Sequence, residues 1–275
     1  MPDLDPITVQ ARSVLLDAIE ALQPYRNDLI VVGAQAIYLR TGSATVAIAE
    51  ATKDSDFVID PRHLPHEPLI EDAMSAANFK LNIDNRNPGA WVSPTGIPVD
   101  LMVPAELSGV SGQHRGARIP PHSPKATRRT VGLEACVVDY DEMLVPALAE
   151  DDTRKYIARV AGVAALIIAK VHKIHERIDV PHRLNDKDAH DVHRLLVASD
   201  DLRDVGANFR RLSNEPVCAE ITRQAVEWLP SMFADGPHAI GSMMAGRSVM
   251  GLGDPDFVSA STAALAQDLL DFIGP

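Results

Sequence analysis

Partway along the chain the apolar residues change their spacing, and that change limits the folds available. From Thr153 onward Ile157, Val160, Ala164, Ile167, Ile168, Val171, Ile174 and Ile178 recur at three- and four-residue intervals, the spacing that lines one side of an α-helix. Pro181 ends this run. A second helix is predicted from about Asn185 to Ala198, with Ala189, Val192, Leu195 and Leu196 inward, and others near Cys218–Phe233 and Ser259–Ile273. Gly236, Gly241, Gly246, Gly251 and Gly253 mark a looser stretch between those two. Before Thr153 the apolar residues come in short runs: Leu29–Val32, Thr52–Asp60, Gly96–Val103 and Leu133–Val138 all read as strands. Helices are predicted at Ile7–Leu22, closed by Pro24, and near Pro68–Ala77. The fold class that follows is α/β (α+β): a mixed sheet with flanking helices over residues 1–150, then an α-helical half over 151–275, with the boundary near Ala149–Thr153.

At 275 residues, 46% hydrophobic and 23% charged, the chain has the composition of a folded protein. No apolar run reaches the roughly 18–20 residues that span a bilayer, so no membrane partner is expected. The N-terminus lacks the basic-then-apolar order of a signal peptide. Two cysteines, Cys136 and Cys218, cannot build a disulfide framework, and a reducing cytoplasm is the expected location. The net charge of −12 excludes a molecule that is basic all over, so any nucleic acid must be met by a local basic patch or through metal ions. Aromatic residues make up 4%, too few for a platform that stacks single strands.

The chemistry-bearing residues cluster early. Gly33 stands between the strand Leu29–Val32 and a short helix over Ala34–Arg40, where a tight connection or a close approach of backbone N–H groups to phosphate calls for glycine. Asp54 and Asp56 lie two apart, on one face of the following strand. Two carboxylates so placed repel unless a cation neutralises them, and Mg²⁺ or Mn²⁺ takes oxygen ligands of this kind. Asp100, a single acid in the apolar strand Gly96–Val103, is the candidate third carboxylate, as metal ligand or as acceptor of a proton from an attacking hydroxyl. Such a site suits metal-assisted phosphoryl or nucleotidyl transfer. Residues 113–130 carry Arg115, Arg118, Lys125, Arg128 and Arg129 and no acid, whereas residues 131–152 carry seven acids and no base. Three prolines make the basic stretch a loop, either solvated and facing the acidic segment or gripping the phosphates of an RNA acceptor.

The segments Val32-Gly33-Ala34-Gln35-Ala36 and Thr52-Lys53-Asp54-Ser55-Asp56-Phe57-Val58 resemble the opening of the nucleotidyltransferase superfamily, a Gly-Ser turn beginning a helix and then an Asp-x-Asp strand. Downstream, Ala169-Lys170-Val171-His172, Arg177 and Lys187-Asp188-Ala189-His190-Asp191 resemble the AbiEii-like toxin family, which includes the MenT nucleotidyltransferases. The resemblance covers roughly Leu29 to Leu196. It implies that Asp54 and Asp56 hold the metal, Gly33 approaches the triphosphate and Lys170 binds the nucleotide phosphates. It further implies that Asp188 shapes the site, with Arg177 and Asp191 as further nucleotide-binding positions. The implied activity is transfer of a nucleotide from an NTP to an acceptor, in MenT-like members a tRNA 3′ end, by a toxin held in check by a cognate antitoxin protein. One position departs from the pattern: Ala34 stands where the family has serine, one hydroxyl hydrogen bond to phosphate fewer. A small-molecule nucleotidyltransferase of the aminoglycoside type, and a module whose phosphate site has decayed, are the alternatives.

Lys170 and Arg177, seven residues apart, are predicted to project from nearly one helix face beside the apolar stripe, with the Lys170 ammonium directed toward Asp54 and Asp56. Asp188 and Asp191, an i, i+3 pair near a helix start, also suit the helix dipole. His172 with His175 and His190 with His193 are i, i+3 pairs. Without cysteine or a His-Glu-x-x-His motif, they read as solvated or hydrogen-bonded rather than zinc-bound. No Gly-x-Ser-x-Gly elbow or activated cysteine supports nucleophilic catalysis.

Overall fold

The structure, a computed structural model, describes residues 5–42, 54–82, 87–112 and 114–274. Thr52 and Lys53, quoted above with the Asp-x-Asp strand, lie outside the described residues. The chain divides into two compact units, one of residues 1–39 and 51–161, the other of residues 40–50 and 162–275. No helix among the described residues is long and apolar enough to cross a membrane.

The first unit opens with α1 (Pro6–Ala21), which starts where Asp5 accepts hydrogen bonds from the Ile7 and Thr8 amides and Pro6 supplies a preset first turn. Its buried side includes Val14, Leu15, Leu16 and Ile19. Then follow β1 (Leu29–Val32), buried throughout, α2 (Gly33–Thr41), β2 (Ser55–Ile59) and α3 (Ile70–Ala76). The remaining strands are β3 (Lys80–Leu81), β4 (Ala90–Val92), β5 (Pro98–Pro104), β6 (Arg128–Thr130), β7 (Tyr140–Pro146) and β8 (Lys155–Ala161). They form one mixed sheet in the order β3-β4-β5-β2-β1-β8-β7, with β6 beside β5. Three strands that carry the sequence motifs stand side by side: β1 is antiparallel to β2, and β2 is parallel to β5. β7 ends the ladder, and on the β7–β8 ribbon Leu144 pairs with Ile157, both more than half exposed.

Two predicted elements differ. Leu133–Val138 is not a strand but a 3₁₀ turn at Glu134–Val137. Its apolar residues are buried as expected, but its amides bond within the turn, Cys136 N–H to the Leu133 carbonyl and Val138 and Asp139 N–H to the Ala135 carbonyl, so no neighbouring strand is needed to satisfy them. Lys155–Ala161 is not the start of a helix but β8, paired to β1 and β7. The stripe beginning at Ile157 joins two different elements, since Ile157 is 60% exposed on a strand while Val160 is fully buried in the sheet. Helix begins only after Gly162, so the units part at Ala161–Gly162, later than Ala149–Thr153.

The second unit is helical: α4 (Val163–His175), α5 (Asp186–Ala198), α6 (Leu202–Leu212), α7 (Ala219–Leu229), α8 (Ile240–Arg247) and α9 (Pro255–Ile273). The stretch from Gly236 to Gly253 is not loose throughout, because α8 lies within it. A Cβ on Gly241 would stand 2.5 Å from the Phe233 ring, and one on Gly246 2.5 Å from the Pro255 carbonyl oxygen. These glycines let elements pack closely.

Candidate active site

β1 ends at Val32, which pairs with Asp56 on β2, and Asp56 in turn pairs with Asp100 on β5. Paired residues of adjacent strands share a sheet face, so Asp56 and Asp100 are neighbours across about one strand spacing. Gly33 follows Val32 with φ +63°, and a Cβ there would lie 2.1 Å from Asp56 Oδ2. Only glycine fits: the carboxylate occupies the space that any side chain would fill, and the left-handed backbone suits glycine alone. The start of α2 thus lies against an acid. Asp54 precedes β2 and is exposed.

Asp100 Oδ2 accepts a 2.7 Å hydrogen bond from Arg128 Nη2, both side chains being about a quarter exposed. Arg128 opens β6, whose parallel pairing with β5 begins at Met102. Among the described residues no group of three or more His, Cys, Asp or Glu side chains is arranged to hold a metal ion. Mg²⁺ needs no such cage, since it commonly takes one or two carboxylates and completes its shell with water and substrate phosphates. Of the three candidate acids, Asp56 and Asp100 are neighbours in the sheet, Asp100 also pairs with Arg128, and Asp54 stands just before β2.

The basic stretch divides in two. Arg115, Arg118 and Lys125 are exposed, and Arg115 donates to the Asn87 side chain. Arg128 and Arg129 sit in β6, half-buried, with Arg129 donating to the Gly112 carbonyl at 3.4 Å. The loop expected throughout therefore ends in a strand, and its last two cations hold the protein to itself.

In the helical unit, the Lys170 ammonium donates to Asp188 Oδ1 and Asp191 Oδ2, each at 2.7 Å. Lys173 adds a 2.8 Å bond to Asp188, and Arg177 stands 3.6 Å from the same carboxylate. Lys170 is 8% exposed, so it lies within the apolar packing of α4, not beside it. Burial alone would favour loss of its proton, but Asp191 and Asp188 outweigh burial and hold the proton more firmly than on an ordinary lysine. Burial would likewise raise the Asp188 pKa, and Lys170 and Lys173 overcome this and hold it well below the usual carboxylate range. Arg177 does not share the helix face of Lys170, because α4 ends at His175. Lys173 escaped the sequence reading, although it is three residues from Lys170 just as Asp191 is three from Asp188, the spacing by which two helices present matched pairs.

The histidines are occupied by packing. His172 Nε2 lies 2.7 Å from the Ile221 carbonyl, His175 stacks on Trp228 at 3.5 Å, and His193 Nδ1 is 3.0 Å from the Thr262 hydroxyl. His190 and His193 are nearly inaccessible, and burial drives the pKa of each down to about 4.

No family model matches the chain, and no curated protein matches it. Two solved structures are loosely similar over nearly the whole length of each chain. JHP933 from Helicobacter pylori is 12% identical, with a TM-score of 0.43, 98% of this chain and 95% of that one being covered. A proposed nucleotidyltransferase from H. pylori is 8% identical, with a TM-score of 0.35 and coverages of 98% and 97%.

Proposed function

We propose that this protein is a metal-dependent nucleotidyltransferase that acts as the toxin of a toxin–antitoxin pair, with a tRNA 3′ end as acceptor and a cognate antitoxin as protein partner. The observation that carries the reading is the seat of Asp56, held over Gly33 at the start of α2 and in register with Asp100. Acids placed beside helix N-terminal amides form an arrangement in which metal-bound phosphates can be received. Asp54 and Asp56 would hold Mg²⁺, which when bound neutralises phosphate charge and favours attack by an oxygen nucleophile.

The reaction joins the acceptor hydroxyl oxygen to the α-phosphorus and breaks the bond from that phosphorus to the bridging oxygen, so pyrophosphate leaves. Asp100, its orientation fixed by Arg128, is the group assigned to receive the hydroxyl proton. The α2 amides after Gly33 would cradle phosphate oxygens. Ala34, 9% exposed, adds no hydroxyl, so backbone donors carry that contact. Lys170 commits its ammonium to Asp188 and Asp191, which assigns it to holding α4 against α5.

The test incubates purified protein with total tRNA, Mg²⁺ and each labelled NTP in turn. Label should enter tRNA from one NTP, and expression should arrest growth unless Asp54→Ala is present. Label entering an aminoglycoside instead of RNA would replace the tRNA reading with the small-molecule one, and no incorporation anywhere would overturn both.

A further inference from the structure

Two successive residues of α1 reach both halves of the candidate site from the sheet face opposite Asp56. Ser55, the residue between Asp54 and Asp56, points its side chain to that opposite face, is fully buried, and donates from Oγ to the Ala11 carbonyl at 3.1 Å. Arg12 donates from Nε to Gln35 Oε1 at 2.8 Å and from Nη1 to the Pro146 carbonyl at 3.0 Å. Gln35 lies in the first turn of α2, two residues past Gly33, and is 1% exposed. One guanidinium therefore ties α1 to the helix start that stands against Asp56, and to the last residue of β7.

This contact is costly for one that only fills space. Arg12 is 3% exposed, and among the described residues no carboxylate pairs with it. Burial without a counter-charge draws its pKa down to about 10. The Gln35 Nε2 is also buried and, among the described residues, has no hydrogen-bond partner, so the amide is held through its oxygen alone. Apolar side chains of similar volume would occupy the same space without stranding a charge or a donor. What apolar packing lacks is direction: a guanidinium donor fixes the angle as well as the distance of the group it grips.

We infer that Arg12 is a positioning residue for the nucleotidyl transfer: through Gln35 it sets the first turn of α2, whose amides receive the nucleotide phosphates. The consequence for catalysis rests on the proposed function, whereas the Arg12–Gln35 contact stands apart from it.

Arg12→Met and Gln35→Met are compared with the parent chain by steady-state nucleotide incorporation, urea denaturation, and hydrogen exchange of the Ile37–Leu39 amides, which close the first turn of α2. A displaced phosphate cradle weakens ground state and transition state alike, so KM for the NTP should rise about tenfold with kcat within about threefold. Loss of folded protein would instead lower the apparent kcat at unchanged KM and shift the denaturation midpoint. The double variant should be no worse than either single one, because both changes break the same contact. Arg12→Lys, which restores a cationic donor, should recover part of the KM rise, and Asp17→Ala, elsewhere on α1, should leave KM unchanged. If Arg12→Met fails to fold, Gln35→Met, which removes no charge, carries the same reading. Unchanged KM in the folded variants, or a fall in kcat that tracks lost stability, would overturn the positioning role. A parent chain that incorporates no nucleotide would sink the proposed function, and exchange then decides the contact alone: faster exchange in both variants keeps Arg12 as the residue that orders α2, and equal exchange overturns that as well.

Discussion

Asp100 on β5 and Asp191 on α5 each accept a 2.7 Å hydrogen bond from a cation, yet the Asp100 side chain keeps 26% of its surface exposed and that of Asp191 keeps 3%. The sheet acids stand in partial contact with water, where exchanging one partner for another is inexpensive. The helix acids are locked around Lys170, where losing one partner strands a charge in apolar packing. The same residue types thus serve a partly open arrangement in the sheet and a closed one that fixes how α4 meets α5. Function and stability should therefore separate when the two groups are altered.

The largest separation is expected from Asp56→Ala. Nucleotide incorporation should fall about 1000-fold, the several kcal/mol that a metal-binding carboxylate supports in a metal-assisted reaction, while the melting temperature changes far less. A loss of stability as large as that of activity would break the comparison. Asp191→Ala should act the other way and cost about 3–5 kcal/mol in urea unfolding, because Lys170 keeps its charge with one carboxylate fewer. A cost under about 1 kcal/mol would place Lys170 among exposed pairs.

The closed unit should also be the more acid-sensitive. His190 and His193 have pKa values near 4 when folded against about 6.5 when unfolded. Between those values the unfolded chain binds protons that the folded one refuses, so stability drops as pH falls from about 6.5 toward 4, by on the order of 3 kcal/mol per histidine at the lower limit. Denaturation curves at pH 7, 6, 5 and 4.5 read this slope, and His193→Gln should flatten it. A flat profile in the parent protein would contradict the burial account. Gly33→Ala is expected to cost about 1–2 kcal/mol for the left-handed backbone. It should also displace the Asp56 carboxylate, read as weaker Mg²⁺ binding in a Mn²⁺ relaxation titration, and unchanged metal affinity would show that Asp56 does not depend on its seat.

β1, the Gly33 turn and β2 were legible because each signal there is local: four apolar residues, a turn glycine and the apolar run Phe57–Ile59, whereas Asp54, read as part of the strand, stands just before it. The burial of Lys170 was not, since a lysine in an apolar helix reads as a surface cation until its two carboxylates are found one helix away. β8 was misread because Ile157 and Val160 fit helical spacing as well as they fit a strand whose two faces are unequally buried. α6 was missed because Gly206 interrupts it, and only the approach of Phe272, 2.8 Å from where a Cβ would stand, accounts for that glycine. α8 was missed for the same reason. Contacts distant in sequence decide such positions, and no window along the chain contains them.

The outermost position of β7 gives the acid-rich block at residues 131–152 an occupation unrelated to catalysis. A terminal strand offers its outward amides and carbonyls to any extended chain that drifts alongside, and the exposed Leu144 and Ile157 make such an encounter adhesive. Asp141 and Glu142, both exposed on that strand, mean that two copies meeting edge to edge bring like charges together. Charges so placed work against fibre-like stacking of copies, and most strongly where these carboxylates are ionised.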